Sequence, residues 1–392
     1  MSTKFNFLTH ELEQRQRQQR LRTLQRTDPC GRAVISVAGH AMVNFCANDY
    51  LGLAHHPLIA ERAVAHIQKY GTGAGASRLI CGNLGYFEPV ETELARLKGT
   101  ESALIFNSGF QANVTILPTL ADRQSLIFSD RLNHNSLIQG ARLARCRVEI
   151  FNHNDMDHLA HLLERYSKRD YSRRLIVTES IFSMDGDQAP LDNLVRLAQT
   201  HDAILVVDEA HATGVAGPRG MGLACGRGVD VIIGTFSKAC GAFGAYVAGS
   251  RKLCDYLVNC CPGLIYSTAL PPAAVGAIAG ALELIPNMEA ERRQLRAHAD
   301  HLRTALQTRG WDCGQSTTQI VPVIVGEASD SLILAKRLAA NQIFAQAIRP
   351  PTVEEHRARI RLAVSALHER SDVDRVIDTL GYKTSTADHE TP

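Results

Sequence analysis

ILVVDEAHATG (204–214) and VDVIIGTFSKACGAFG (229–244) decide how this chain folds. Each opens on a run that is apolar on both faces, and each ends in reactive side chains: Asp208 and His211 after the first, Lys238 after the second. A strand without polar alternation is buried on both sides, as in a parallel sheet covered by helices. Similar runs recur at ALIFN (103–107), SLIFSD (125–130), RVEIFNH (147–153), RLIVTESIF (174–182), AILVVDEA (203–210), VDVIIGTF (229–236) and GAYVAGS (244–250). Helical stretches such as LDNLVRLAQTH (191–201) separate most of them. The alternation predicts an α/β fold with a mostly parallel central sheet. Ligands of such sheets bind at the carboxyl ends of the strands, where Ser183, Asp208, His211 and Lys238 all fall.

Outward from this region the pattern changes. Residues 5–26, rich in Gln and Arg, read as one solvated helix, and 33–46 as a hairpin of VISV and MVNFC about AGH. NDYLGLAHHP (48–57) is a turn into a helix that begins near Pro57. PPAAVGAIAGALELIP (271–286) is too short to span a bilayer and reads as a buried helix. A charged helix over 288–310 leads to VPVIVG (321–326), a helix over 329–341, RIRLAVSA (359–366) and a last helix over 371–381. The expected organisation is an N-terminal arm (1–45), a large domain (46–288), a smaller C-terminal α+β domain (289–382) and a polar, frayed tail (383–392).

Bulk properties narrow the function. The 392 residues exceed one small core, and the 45 % hydrophobic content lies in the globular range. A net charge of +2, from 42 basic and 40 acidic residues, gives no reason to expect nucleic acid or an anionic membrane as partner. Ten cysteines without CxxC pairs suit a reducing cytoplasm, and the polar N-terminus shows no signal peptide.

A lysine just past a buried strand, with a strand-end Asp and His upstream, fits an enzyme that binds pyridoxal phosphate through the lysine amine. A carboxylate such as Asp208 opposite the pyridine nitrogen keeps it protonated. DEAH (208–211) also occurs in nucleotide-driven motors, but the P-loop such a motor requires is missing. GTGAGASRL (71–79) is a phosphate cradle or simply a flexible turn; it lacks both the P-loop ending and GxGxxG. SGF (108–110) is an ordinary strand–helix turn or a helix N-terminus that binds phosphate. His134 is a lone loop histidine or a ring that stacks on a cofactor, and Thr235 and Ser237 are strand-end caps or phosphate contacts.

Taken in order, NDYLGL, GTGAGASRL, SGFQAN, DRLNHNSL, TESIFSMDGD, VVDEAHATG, GTFSKACGAFG, IYSTALPP and AIRPPTV resemble the α-oxoamine synthase family of pyridoxal-phosphate enzymes, of fold type I, over residues 20–382. The resemblance implies that Lys238 carries the cofactor, Asp208 pairs with its ring nitrogen, His211 bonds its hydroxyl and His134 stacks on it. It implies that Gly109, Phe110, Ser183 and Thr235 hold the cofactor and its phosphate. Ser267 and Thr268 would reach the phosphate of the neighbouring subunit in a homodimer with interfacial sites. Asn48 and Arg361 would take the amino-acid carboxylate; Thr352 and Arg22, with Arg20 and Arg26 as alternatives, would touch the acyl substrate. AIRPPTV (347–353) points to members that join L-alanine to a pimeloyl thioester, on CoA or on acyl carrier protein. Glycine- or serine-using members and a non-catalytic partner subunit are the alternatives. Two departures bear on the acyl substrate: Glu354-Glu355-His356 stands where the family commonly has Pro-x-Gly, and Phe87 near a usual histidine.

Overall fold

The short runs of Val, Ile, Leu and Phe form the strands they predict. The computed structural model describes residues 3–383. Seven strands make one sheet: β1 (Ser102–Phe106), β2 (Leu126–Asp130), β3 (Arg147–Phe151), β4 (Arg174–Glu179), β5 (Ile204–Asp208), β6 (Val231–Thr235) and β7 (Ala245–Gly249). Their order is β1-β7-β6-β5-β4-β2-β3. Neighbours from β6 to β3 are parallel, and β7 runs antiparallel to both β1 and β6. Every residue of β1, β2, β6 and β7 is buried, so their lack of polar alternation is the burial of both faces. The register places Glu179 beside Asp208, and aligns Phe106, Ala245 and Thr235 across the sheet. The carboxyl ends of β1, β4, β5 and β6 therefore share one edge.

The chain packs as two units: residues 49–183 with 187–293, and 3–48 with 184–186 and 294–383. The first holds the seven-stranded sheet and its helices. Its apolar stretch over 271–286 forms the helix Pro272–Leu284, with Val275, Ile278, Ala281 and Leu282 buried. This helix lies against Pro57–Tyr70 so closely that a Cβ at Gly276 would meet the Arg62 carbonyl oxygen at 2.5 Å. The helix expected over 191–201 spans Leu191–Thr200.

The second unit holds two small sheets. Thr27–Gly31, Val34–Val37, His40–Asn44 and Ile343–Phe344 form the first, which contains the expected hairpin. Ile320–Gly326, Ala358–Ala363 and Ala347–Ile348 form the second. Helices Ala328–Ala340 and Arg370–Leu380 follow their expected spans closely, as does Glu289–Thr308 for the charged stretch. Residues 184–186 are bound here by Arg359, which donates to the Met184 carbonyl (3.1 Å) and the Asp185 carboxylate (2.6 Å). Gly186 has φ +70°, and a Cβ there would collide with the Ile320 carbonyl oxygen.

The expected helix over 5–26 is a correction. The helix spans only Asn6–Arg17, and Gln19 at φ +55° ends it. Residues 20–26 are drawn out by distant side chains, Arg22 meeting Thr352 and Gln25 meeting Gln346. The polar tail expected over 383–392 falls largely on residues 384–392, which lie outside the described residues. Among the described residues, no helix is long and apolar enough to cross a membrane.

Candidate functional site

The shared sheet edge carries the titratable groups. Asp208 ends β5; its Oδ1 accepts from the Ala210 amide (2.8 Å) and its Oδ2 from Asn113 Nδ2 (2.7 Å). Three residues on, His211 is buried between two polar partners. Its Nε2 lies 2.6 Å from Lys238 Nζ, and its Nδ1 lies 2.7 Å from the Tyr50 hydroxyl. With Lys238 as an ammonium donor, Nε2 accepts and Nδ1–H donates to Tyr50. Lys238 thus sits on the histidine that follows Asp208, three residues beyond the end of β6.

A chain of bonds runs from Asp208 to His134. Asn113 Nδ2 also donates to Ser136 Oγ (2.9 Å), and Ser136 Oγ lies 2.7 Å from His134 Nδ1. The Ser136 amide donates to the same nitrogen (3.2 Å), so Nδ1 is the acceptor and the neutral ring carries its proton on Nε2. His134 is the N-cap of the helix Asn135–Leu143, which fixes its ring. Burial, with Lys238 adding to it against the pull of Asp208, lowers the His134 pKa and favours the neutral ring. The His134 amide donates to Glu179 Oε1 (2.6 Å). Glu179 is buried beside Asp208, and burial with that neighbouring charge holds its carboxyl well above the ordinary glutamate range, against the pull of Lys238.

Pyridoxal phosphate needs an amine, a carboxylate for its ring nitrogen and a cradle for its phosphate, and the edge supplies each. The helix Gly109–Leu120 starts here, capped by Ser108, whose Oγ accepts from the Gln111 amide (3.2 Å). A helix start leaves its first N–H groups without helical acceptors, here those of Gly109 and Phe110. Gly109 lies beside Thr235: a Cβ on it would rest 3.7 Å from Thr235 Cβ. Thr235 Oγ1 lies 3.0 Å from Ser237 Oγ and 2.8 Å from the Gly244 carbonyl. The Phe110 ring is exposed. Asn107, one residue past β1, donates to Ser267 Oγ (2.7 Å) and to the Thr268 carbonyl (2.8 Å), bringing both to the edge. The glycine stretch 71–79 is irregular up to Ser77, enters the short helix Arg78–Gly82, and is tied to this segment by the Ser77–Thr268 bridge.

Ser183 is buried at the end of a loop that folds back on itself. The Phe182 amide donates to the Asp187 carbonyl (3.1 Å) and the Ala189 amide to Ser180 (3.1 Å). His153 holds this loop, with Nδ1 2.9 Å from Asp130 and Nε2 2.7 Å from Asp187. Burial opposes its protonation, yet the two carboxylates together raise it to about 10.

The second unit carries its own constellation. Arg361, buried on the strand Ala358–Ala363, donates to Asn48 Oδ1 (3.1 Å). Burial pushes the nearby Cys46 thiol up to about 11, outweighing a backbone bond from Gln346 and the charge of Arg361. Of the three arm arginines, Arg22 donates to Thr352 Oγ1 (2.9 Å), Arg20 pairs with Glu355 and Arg26 with Asp28. Sequence reasoning missed Tyr50, Asn113, Ser136 and Glu179. All four lie inside quoted motifs, NDYLGL, SGFQAN, DRLNHNSL and TESIFSMDGD, but their roles depend on partners outside their own motifs.

The family model for class I and II aminotransferases matches residues 40–380. A Desulfosudis oleivorans protein, provisionally named an 8-amino-7-oxononanoate synthase, is 56 % identical over 97 % of this chain and 98 % of its own. The 8-amino-7-oxononanoate synthase of Gluconacetobacter diazotrophicus is 48 % identical, over 96 % and 97 %. Among solved structures, the serine palmitoyltransferase of Sphingomonas wittichii superposes with a TM-score of 0.89 at 25 % identity, covering 96 % of each chain. The 8-amino-7-oxononanoate synthase of Francisella tularensis gives 0.75 at 25 % identity, covering 86 % of this chain and 96 % of its own.

Proposed function

We propose, because this chain belongs to the class I and II aminotransferase family and within it to the α-oxoamine synthases, pyridoxal-phosphate enzymes that transfer acyl groups, that it condenses L-alanine with a pimeloyl thioester to give 8-amino-7-oxononanoate, a biotin precursor. The observation that carries the chemistry is the 2.6 Å contact of Lys238 Nζ with His211 Nε2 on the strand edge that also bears Asp208. Relatives of 44–56 % identity named for this synthase support the substrate pair.

When bound, pyridoxal phosphate supplies the electron sink that makes the alanine Cα nucleophilic and permits loss of CO2. Lys238 holds the cofactor, then accepts the α-proton on Nζ and later returns it. Asp208, which accepts from the Asn113 and Ala210 donors, would face the ring nitrogen as its counter-charge. His211, steadied by Tyr50, orients both Lys238 and the ring hydroxyl. Neutral His134, with its Nδ1 occupied by Ser136, offers Nε2–H to the thioester carbonyl oxygen as the new C–C bond forms and the thiol leaves. Gly109, Phe110, Ser183 and Thr235 would help hold the cofactor and its phosphate. Arg361 with Asn48 takes the alanine carboxylate, and Arg22 with Thr352 the far end of the acyl chain. We assign the protein to the cytoplasm as a homodimer, with Ser267 and Thr268 serving the neighbouring subunit's phosphate.

The high structural likeness to a serine palmitoyltransferase favours a second reading, serine with a long acyl chain. One experiment separates them. The visible spectrum of the purified holoprotein is followed on adding L-alanine, glycine or L-serine, and CO2 and free thiol are then measured with pimeloyl and palmitoyl thioesters. A spectral change and turnover with L-alanine and the pimeloyl thioester are expected. Faster turnover with L-serine and the palmitoyl thioester overturns the substrate pair. Turnover that survives Lys238→Ala overturns the mechanism.

A further inference from the structure

Glu354-Glu355-His356 follows Val353 without the expected proline and glycine, and puts a carboxylate beside a cluster of cations. Arg20, Arg22, Ala347, Ile348, Arg349 and Thr352 line a cavity of about 170 Å³. Three guanidiniums border it. Arg349 is tethered to the Gln19 carbonyl, and burial with the charge of Arg22 holds it below the usual arginine range. Among the described residues, neither Arg22 nor Arg349 has a carboxylate within ion-pair distance, whereas Arg20 is paired with Glu355. The Glu355 backbone is held from both sides. The Arg357 amide donates to the Glu354 carbonyl (3.2 Å), and His356, at φ +58°, places Nδ1 2.7 Å from Glu327 Oε1.

A cavity with two uncompensated guanidiniums and a hydroxyl is a donor set for an anion, because each guanidinium can fork onto two oxygens. Its charge count then decides which anion. We propose that Glu355 is a specificity-determining residue that neutralises Arg20, so that the cavity presents two cations and the Thr352 hydroxyl and selects one terminal carboxylate over a phosphate dianion. This rests on the proposed acyl substrate, whose far end is a carboxylate. Without Glu355, Arg20 becomes a third free cation, and a dianion gains more from it than a monoanion does.

The test uses the holoenzyme with L-alanine and two thioesters of equal chain length, pimeloyl and uncharged heptanoyl, with inorganic phosphate and acetate as competitors. Glu355→Gln is expected to raise the pimeloyl-to-heptanoyl ratio of kcat/KM by about two- to fivefold, the scale of one partly exposed ion pair. It is expected to tighten inhibition by phosphate more than by acetate. Glu355→Asp keeps the charge and should behave as the parent. In an Arg20→Gln background, Glu355→Gln should do nothing, since the pair no longer exists. Values within twofold of the parent for Glu355→Gln, or an undiminished effect without Arg20, overturn the proposal. If the parent enzyme shows no preference for the carboxylated thioester, the acyl substrate is wrong and this inference falls with it. If the preference is present and Glu355→Gln leaves it in place, only the role of Glu355 falls.

Discussion

Replacing Asn113 by alanine tests whether Asp208 depends on its neighbours to stay an effective counter-charge. Asn113 is 1 % exposed, and its Nδ2 donates to Asp208 Oδ2 at 2.7 Å. The other donor to that carboxylate is the Ala210 amide, on Oδ1, so the substitution leaves Oδ2 without a protein donor among the described residues. A hydrogen bond to an ionised group contributes about 1.5–3 kcal/mol, and every 1.4 kcal/mol is tenfold in an equilibrium. The carboxylate also stands beside Glu179, so losing a donor here is not offset by solvent. Cofactor affinity of Asn113→Ala should therefore fall by about ten- to a hundredfold, with kcat falling alongside. The assay titrates cofactor-free protein with pyridoxal phosphate and follows the visible absorption, with circular dichroism reporting that the fold is kept. Ser136→Ala is the control: Ser136 takes a bond from the same amide but does not touch Asp208, and its effect on cofactor affinity should stay within about threefold. A change below threefold in folded Asn113→Ala, or an equal change in Ser136→Ala, would refute the argument.

Two further outcomes concern stability. Lys98 and Glu209 are both fully buried, with Nζ 3.2 Å from Glu209 Oε2, 3.2 Å from Thr213 Oγ1 and 2.5 Å from the Met221 carbonyl. Lys98→Met strands the Glu209 carboxylate and should cost about 3–5 kcal/mol, seen as a lower urea midpoint; adding Glu209→Gln should recover at least half, because no charge is then left buried. His368 is stacked on Phe45 and buried, and burial pushes it down to about 4. The unfolded chain takes up that proton near 6.5, so this stabilisation is present above that pH and is lost as pH falls from 6.5 towards 4. It amounts to about 3 kcal/mol at most. Urea midpoints measured at pH 7 and pH 4.5 should diverge less in His368→Gln than in the parent, and equal divergence would show that another group titrates.

Six of the seven strands are legible as short runs apolar on both faces, whereas β3, at the sheet edge, carries Arg147 and Glu149 and is only partly buried. Their ends pointed to Asp208, His211 and Lys238, since chemistry on a parallel sheet lies at its carboxyl edge. The helix expected over 5–26 stops at Arg17. Gln and Arg favour helix locally, but residues 20–26 take their conformation from Thr352, Glu355 and Gln346, some 320 or more positions away. Asn113 and Glu179 were hidden in a different way. Each is an ordinary polar residue in its own segment, and each acquires meaning only through the register that sets β4 against β5 and the helix start that follows β1. DEAH shows how adjacent residues divide between two tasks. Asp208 and His211 face the reactive edge, while Glu209 turns inward to Lys98, where its charge is fully buried and paired. That inward pair anchors the backbone from which Asp208 and His211 project, since the Glu209 amide donates to Ile233 and its carboxylate accepts from Ala224. A damaged Lys98–Glu209 pair should therefore weaken cofactor binding together with stability, whereas a damaged Asn113 should weaken the first and spare most of the second.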